Sequence, residues 1–398
     1  MDIKKINLNW QERLLLGIWL LLPWAFYFSK AVISILLGCF VVMVLFEAKR
    51  MKMPGFLRSM TPYLIISFVV FISGLWTYNT RDWFNLWKAS LPLIIIPAGF
   101  HINPELISRN RKMILNQFIW GGMALCIYII YIYAGNSDTI NNDIYKGGSI
   151  PLPMNHIRTS ILLAIATLIG LASFLEFNHS IKRKITVLFF TLILFFGVHL
   201  LAVRTGIILM YVGIILLIIW ANARWDFSWK YFAFGLPVLA IISFLVFPSL
   251  QAKWSYWVDD MGNLDSYSWT YYSDAMRLKS IGLGWKIGIS HPIIGVGIGD
   301  LRDEMSWIFQ REENVIASLY PHNMFITWFA GFGVVGLGII LYALGYMFYN
   351  TGMYKDPLFG SVFILFMISC LVENTFLGFL GCTSFAALTA LSNDTLNG

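Results

Sequence analysis

Residues 185–223 read ITVLFFTLILFFGVHLLAVRTGIILMYVGIILLIIWANA, two apolar runs at 185–203 and 207–223 separated by little more than Arg204. As helices rising about 1.5 Å per residue, both approach the roughly 30 Å hydrocarbon core of a bilayer. The chain must therefore cross, turn at Arg204 with almost no loop, and cross back. Working outward, similar runs lie at about 14–29, 31–46, 61–76, 84–100, 114–135 and 157–177 on one side, and at about 231–248, 324–349, 359–375 and 376–391 on the other. Together they predict an all-α integral membrane bundle of about twelve helices, and the simplest domain count is a single one, 1–398.

Composition agrees, because 58% hydrophobic residues against 12% charged ones is more apolar surface than a water-soluble fold can hide. Lys4, Lys5 and Arg13 precede the first run as in a signal peptide, yet no small-residue cleavage site follows Pro23 to Phe28, so that run is read as a retained helix. The net charge of +7 is scattered in short clusters instead of forming one face, which argues against a nucleic-acid partner. Cys39, Cys126, Cys370 and Cys382 all lie in apolar segments without metal-type spacing and read as packing residues. Neither a metal site nor a cofactor is expected.

Orientation follows from the basic clusters Lys49, Arg50, Lys52 and Arg58, then Arg109, Arg111 and Lys112, then Lys182, Arg183 and Lys184, on alternate connections. Such clusters mark the cytoplasmic side, so both termini are expected there, with Arg81, the 136–156 loop and the long 249–321 segment on the outer face. Within that segment, Ser273 to Ile289 is regular enough for one or two amphipathic helices. Trp254, Trp257, Trp269, Tyr271 and Tyr272 suit a membrane interface. Loops longer than roughly 15 residues usually carry function, which places the expected active site beneath or beside this one.

Charge at membrane depth costs about 2.5 to 3.5 kcal/mol per residue on insertion scales, so the few such residues are functional candidates. Arg204 is either a snorkelling anchor or a ligand contact, and Arg158, in MNHIRTSILLA at the same face, poses the same choice. Arg277 lies in DAMRLKSIGLGWKIG within the long outer segment. His322 follows Pro321 and precedes an apolar helix; its imidazole, with a usual pKa of about 6.5, can take a proton from a hydroxyl, or it is simply an interfacial residue at a helix start. Asn323 next to it caps that helix or orients the ring. Of the other histidines, His101 and His179 fall in cytoplasmic connections, His199 faces a helix interior and His291 precedes a proline; only His156, beside Arg158, is a second candidate. Glu373, in CLVENTFLGFLGC, is a carboxylate inside an apolar run, suited to pairing with an arginine, to an interhelical hydrogen bond or to proton coupling in a transporter.

The order and context of these residues resemble the O-antigen ligase and polymerase family of bacterial membrane glycosyltransferases over roughly residues 150–390. The resemblance rests on the Arg-Thr-Gly boundary at Arg204, the stretch MRLKSIGLGWKIGISHPIIGVGIGD that starts beside Arg277 and ends with Gly295, Gly297, Gly299 and Asp300, and the helix start PHNMFITWFAGFGVVGLG at His322. The first five runs resemble only generic membrane sequence.

The resemblance implies a GT-C-like bundle of about twelve helices in the inner membrane, with one large periplasmic loop, 249–321, over the site. It implies a donor glycan on undecaprenyl pyrophosphate and, as acceptor, lipid A core or a growing glycan; membrane lipids are the remaining partners. By position His322 is the implied base, Arg204 and Arg277 the implied pyrophosphate ligands with Arg158 beside them, and Asn323, His156 and Glu373 support them. Guanidinium suits that task, because it keeps its proton and offers bidentate contacts to a charged leaving group. Asp259 and Asp260 are adjacent and do not form a DxD-type metal motif, so the expected enzyme is a metal-independent inverting glycosyltransferase.

Polymerases of the family are described with two outer loops that carry an arginine and a glycine eleven residues later. Arg277 and Gly288 have that spacing while Arg158 and Arg204 do not, which favours a ligase over a polymerase. A protein-targeting oligosaccharyltransferase, usually with a larger C-terminal region, ranks third. A lipid or solute transporter, the rival from a different class, calls for charges spread through mid-helix depth and for broken helices in paired positions.

Overall fold

The computed structural model describes residues 8–47, 53–176, 180–225, 230–262 and 273–392. Lys4, Lys5, Lys49, Arg50, Lys52, His179, Trp269, Tyr271 and Tyr272 lie outside them. Among the described residues every regular element is helical. The first half contains α1 (Trp10–Phe28), α2 (Lys30–Glu47), α3 (Met53–Ile72), α4 (Thr80–Ser90), α5 (Pro92–Phe100), α6 (Pro104–Arg109), α7 (Arg111–Tyr145) and α8 (His156–Leu175). The second half contains α9 (Ile181–Leu200), α10 (Arg204–Trp225), α11 (Lys230–Val246), α12 (Pro248–Gly262), α13 (Ser273–Ser290), α14 (Leu301–Glu313), α15 (Met324–Asn350), α16 (Pro357–Ser369) and α17 (Phe379–Leu391).

The hairpin at Arg204 is α9 and α10, joined by three residues that include Ala202 at φ 53°. Among the described residues, six helices are long and apolar enough to cross a membrane, or seven if the bent pair α11 and α12 counts as one. Several of the other expected runs are short or broken helices. The run expected at 84–100 is two helices meeting at Leu91, where Pro92 opens the second. Helices α16 and α17 have 13 residues each, about 20 Å at the usual rise. The run expected to end near 135 continues as α7 to Tyr145, across a break at Asn136 (φ −143°, ψ 31°).

Bonds between non-neighbouring elements gather at two ends of the bundle. At one, Arg58 donates to Asn350, Asn103 to Glu12, and Lys112 pairs with Glu176 at 2.8 Å. At the other lie the α9–α10 turn, the start of α15 and the α16–α17 connection. In hydrocarbon, apolar area gives little drive for helices to associate, so cohesion rests on close packing and satisfied polar groups. The buried hydroxyl pair Tyr63–Thr389 (2.8 Å) and the buried rings of Trp19 and Trp328 are examples.

The segment 249–321, expected as a long loop, is largely helical in its described part. The chain bends by 91° between α11 and α12, with Pro248 as first residue of α12, so α12 lies across the end of the bundle. Helix α13 coincides with the amphipathic stretch expected from Ser273 and packs against α15. Gly288 makes that approach possible, since a Cβ there would stand 2.3 Å from the Phe329 ring.

The glycine-rich stretch before Asp300 locks these helices together. Helix α15 is interrupted at Gly333 (φ 66°, ψ −171°), a backbone region essentially confined to glycine. In an unbroken helix the amides of Val334 and Val335 would donate to Ala330 and Gly331. Instead they donate to the carbonyls of Pro292 and Ile293 at 2.8 and 3.2 Å, while Ala330 and Gly331 accept from Val296 and Gly297 at 2.9 and 3.0 Å. Residues 292–297 thus fill the break and satisfy all four groups. Asp300 then accepts the amides of Tyr78 and Asn79 at 2.9 and 2.6 Å, tying this stretch to the α3–α4 turn.

Candidate functional site

Arg204 is the first residue of α10, so its side chain leaves the bundle end instead of crossing its apolar depth. Asp274, in the first turn of α13, takes both terminal nitrogens of Arg204, with Nη2 at 3.0 Å from Oδ1. Arg277, one turn later, lies with Nη1 3.7 Å from the same Asp274 oxygen and Nη2 3.4 Å from Glu373 Oε1. Two guanidinium groups from different helices therefore converge. Their side chains are 28% and 30% exposed, so a ligand can reach both.

His322 stands just before α15 with its amide donating to Ser280 Oγ at 3.1 Å. Ser280 Oγ donates in turn to the Arg277 carbonyl at 2.7 Å, which links His322 to the Arg277 turn. The imidazole Nδ1 is buried without a hydrogen-bond partner. Desolvation, helped by the Arg277 charge, holds the ring down from its usual 6.5 to about 4. It is neutral near pH 7 and able to accept a proton.

The α16–α17 connection braces this helix start. Cys370 accepts the amide of Met324 at 2.7 Å, Leu371 accepts from Asn323 Nδ2 at 3.1 Å, and Asn374 donates to the Pro321 carbonyl at 2.7 Å. Asn323 also caps α15 by accepting from the Ile326 amide at 3.1 Å. Glu373 belongs to this connection and not to the interior of a span, because α16 ends at Ser369. That corrects its expected position within an apolar helix.

The remaining candidates sit to one side. Asn155 caps α8, and Arg158 reaches the same connection, with Nη2 3.5 Å from the Asn374 carbonyl and its guanidinium against Gly378. It is within electrostatic reach of Glu373 and, like His322, is not on the cavity wall that Arg204 and Arg277 share. His156 feels the charges of Lys253 and Arg277. The buried His199 ring, which lines the same cavity as Arg204 and Arg277, is held by the Phe195 carbonyl at 2.9 Å and the Tyr211 hydroxyl at 3.0 Å.

Arg204 and Arg277 face a cavity of about 530 Å³, roofed by Lys253, Trp254 and Trp257 of α12. A second cavity of about 770 Å³, lined by α10 and α11 through Ile215, Ile219, Phe232 and Leu236, shares Tyr211 and Ala240 with the first. The first is lined in part by cations and the second, which adjoins it at those two residues, is apolar. Among the described residues, no three His, Cys, Asp or Glu side chains are grouped as a metal ion would require.

Sequence reasoning missed Asp274, Ser280, Lys253 and Asn374. For Asp274 a signal was present, a carboxylate one helical turn before Arg277. Nothing in the sequence pairs it with Arg204, 70 positions earlier.

Residues 189–341 match the family described as O-antigen ligase. The matched stretch contains Arg204, Arg277 and His322 and leaves out His156, Arg158 and Glu373. No curated protein matches the chain.

Proposed function

We propose, with the O-antigen ligase match of residues 189–341 as premise, that this chain is an inverting glycosyltransferase that moves a glycan from undecaprenyl pyrophosphate to an acceptor hydroxyl at the periplasmic face of the inner membrane. The acceptor class is lipid A core oligosaccharide. The observation that carries this reading is the joined pair of cavities, two converging arginines opening into an apolar groove. A polyprenyl diphosphate has the matching shape of a charged head on a long apolar tail.

In the reaction the acceptor oxygen attacks the anomeric carbon of the glycan. The bond from that carbon to the phosphate oxygen breaks, and its electron pair stays on the departing diphosphate. The acceptor proton passes to the neutral imidazole of His322, while Arg204 and Arg277 balance the charge that develops on the leaving group. Arginines at fixed positions supply this stabilisation without a metal ion, and Glu373 orients Arg277.

The chain is read as a bundle of about twelve crossings in which short or broken helices, such as the α4–α5 pair, complement the long ones. The segment 249–321 is read as its large periplasmic region, roofing the site through α12. The charged candidates share one end of the bundle, whereas a transporter calls for polar groups through the depth of the membrane. The single large outer region favours a ligase over a polymerase.

The deciding experiment is transfer in vitro, with purified protein, a glycan on undecaprenyl pyrophosphate and alternative acceptors. Capping of lipid A core is expected. Elongation of the lipid-linked glycan instead identifies a polymerase, and no transfer to any acceptor refutes the reading.

A further inference from the structure

The carboxylate of Asp274 occupies a particular position among the cations. Its oxygens take the paired terminal nitrogens of Arg204, and Oδ1 also lies 3.7 Å from Arg277 Nη1. A guanidinium grips a carboxylate and a phosphate with the same two parallel donors. The Asp274 carboxylate therefore sits where an anion shared by both arginines would sit. Its backbone is anchored independently, the Asp274 amide donating to Asp260 Oδ2 of α12 at 3.1 Å. The carboxylate can leave the arginines without unwinding the helix that carries it.

One guanidinium edge serves one such anion at a time, so a diphosphate gripping this edge of Arg204 must displace Asp274. We propose that Asp274 is the exchange residue of the site: it neutralises Arg204 and Arg277 in the donor-free protein, yields them to the incoming lipid diphosphate, and returns to expel the spent prenyl diphosphate. The inference rests on the proposed function, since it assumes a diphosphate ligand at these arginines.

Charge makes the return necessary. When the glycan leaves, the bridging oxygen becomes a free, ionised phosphate oxygen, and the product carries more negative charge than the donor did. Arginines that hold the donor well hold the product better. A carboxylate tethered one helical turn away competes as an intramolecular ligand at high effective concentration. Two guanidinium groups sharing a partly buried site also repel each other when empty, and the Asp274 charge removes that penalty.

The alternative is that Asp274 merely orients Arg204, and the two roles predict opposite signs. Removing a competitor strengthens ligand binding, whereas removing an orienting partner weakens it. The test uses full-length protein in lipid nanodiscs and undecaprenyl pyrophosphate as probe. Asp274→Asn is expected to bind the probe about tenfold more tightly than wild type, the equivalent of one charge-assisted contact. Its multiple-turnover rate falls through slower product release. Weaker binding by Asp274→Asn overturns the inference while leaving the proposed function intact. No binding by the wild-type protein overturns both. Should Asp274→Asn fail to fold, Asp274→Ser replaces it in the same binding measurement: tighter binding than wild type supports displacement of Asp274, and equal or weaker binding overturns it.

Discussion

The backbone amide of His322 is bonded to the hydroxyl of Ser280, 42 positions away, at 3.1 Å. Because Ser280 also donates to the Arg277 carbonyl, the proposed base and one proposed diphosphate ligand hang from the same turn of α13. Loss of this hydroxyl leaves the His322 amide without its partner and lets the ring drift. Ser280→Ala is expected to lower kcat by about tenfold, which corresponds to roughly 1.4 kcal/mol of positioning. The donor KM stays nearly unchanged, and Ser280→Thr retains most activity. Steady-state kinetics of the two variants check this, and a wild-type kcat for Ser280→Ala contradicts it.

The depressed pKa of His322 has consequences for both activity and stability. A ring held near 4 by desolvation and by Arg277 stays unprotonated down to pH values at which an ordinary histidine has gained its proton. The acid limb of kcat/KM, which reports the free enzyme, is expected well below 6.5. The limb of kcat lies higher, because a bound diphosphate stabilises the imidazolium. As pH falls from 6.5 towards 4, the unfolded chain takes up the proton and the folded one does not. The folded state therefore keeps its full contribution from this group above 6.5 and loses it through that window. A kcat/KM limb at 6.5 shows that the base is another group.

Gly333 supplies a prediction about the scaffold. Its backbone lies in a glycine-only region, and a Cβ there would stand 2.2 Å from the carbonyl of Ile293. Gly333→Ala is expected to cost at least about 1 to 3 kcal/mol from backbone strain alone, with the clash added. The lock between residues 292–297 and α15 opens, and His322 at the head of α15 loses its register with Arg277. Thermal unfolding in detergent reports the first effect and transfer rate the second. An unchanged melting temperature refutes this account of the motif.

The all-helical, membrane-crossing character was legible in the long apolar runs, and Arg204 and His322 stood out as candidates because charge beside such runs is expensive. The broken run at 84–100 was not legible, although Pro92 stood in plain view, since membrane helices tolerate proline when neighbours satisfy the freed backbone. The glycine motif was visible as a pattern, but its task depends on the positive φ of Gly333, which no residue spacing reveals. Asp274 and Asn374 escaped for another reason. An ordinary polar residue acquires its meaning from its partner, and theirs stand 70 and 53 positions away.

The proposed metal independence rests on the way the leaving group is balanced. If Arg204 and Arg277 carry that charge, a strong chelator leaves transfer unchanged, and added magnesium or manganese raises the rate by no more than about twofold, within the screening effect of salt. Activity lost to the chelator and restored by a divalent ion assigns the charge balance to a metal.

The roles of base and leaving-group ligand separate when the side chains are replaced one at a time. In the proposed reaction His322 acts on the acceptor hydroxyl during the attack, whereas the donor diphosphate is charged before the reaction starts. His322→Ala should therefore lower transfer by about a hundredfold to ten-thousandfold, the range for general bases, with donor affinity retained. Arg204→Ala and Arg277→Ala should weaken donor binding together with turnover, because each removes contacts present in both ground and transition states. Lysine at either position keeps the charge but loses the fork, so recovery should be poor. An interfacial anchor at Arg204 would accept lysine with activity largely kept, since snorkelling needs only a long cationic side chain. A helix-start residue at His322 would likewise accept glutamine. Measured on folded, monodisperse protein by donor binding and single-turnover transfer, near wild-type transfer by His322→Gln rules out the base, and full recovery by Arg204→Lys rules out the bidentate ligand.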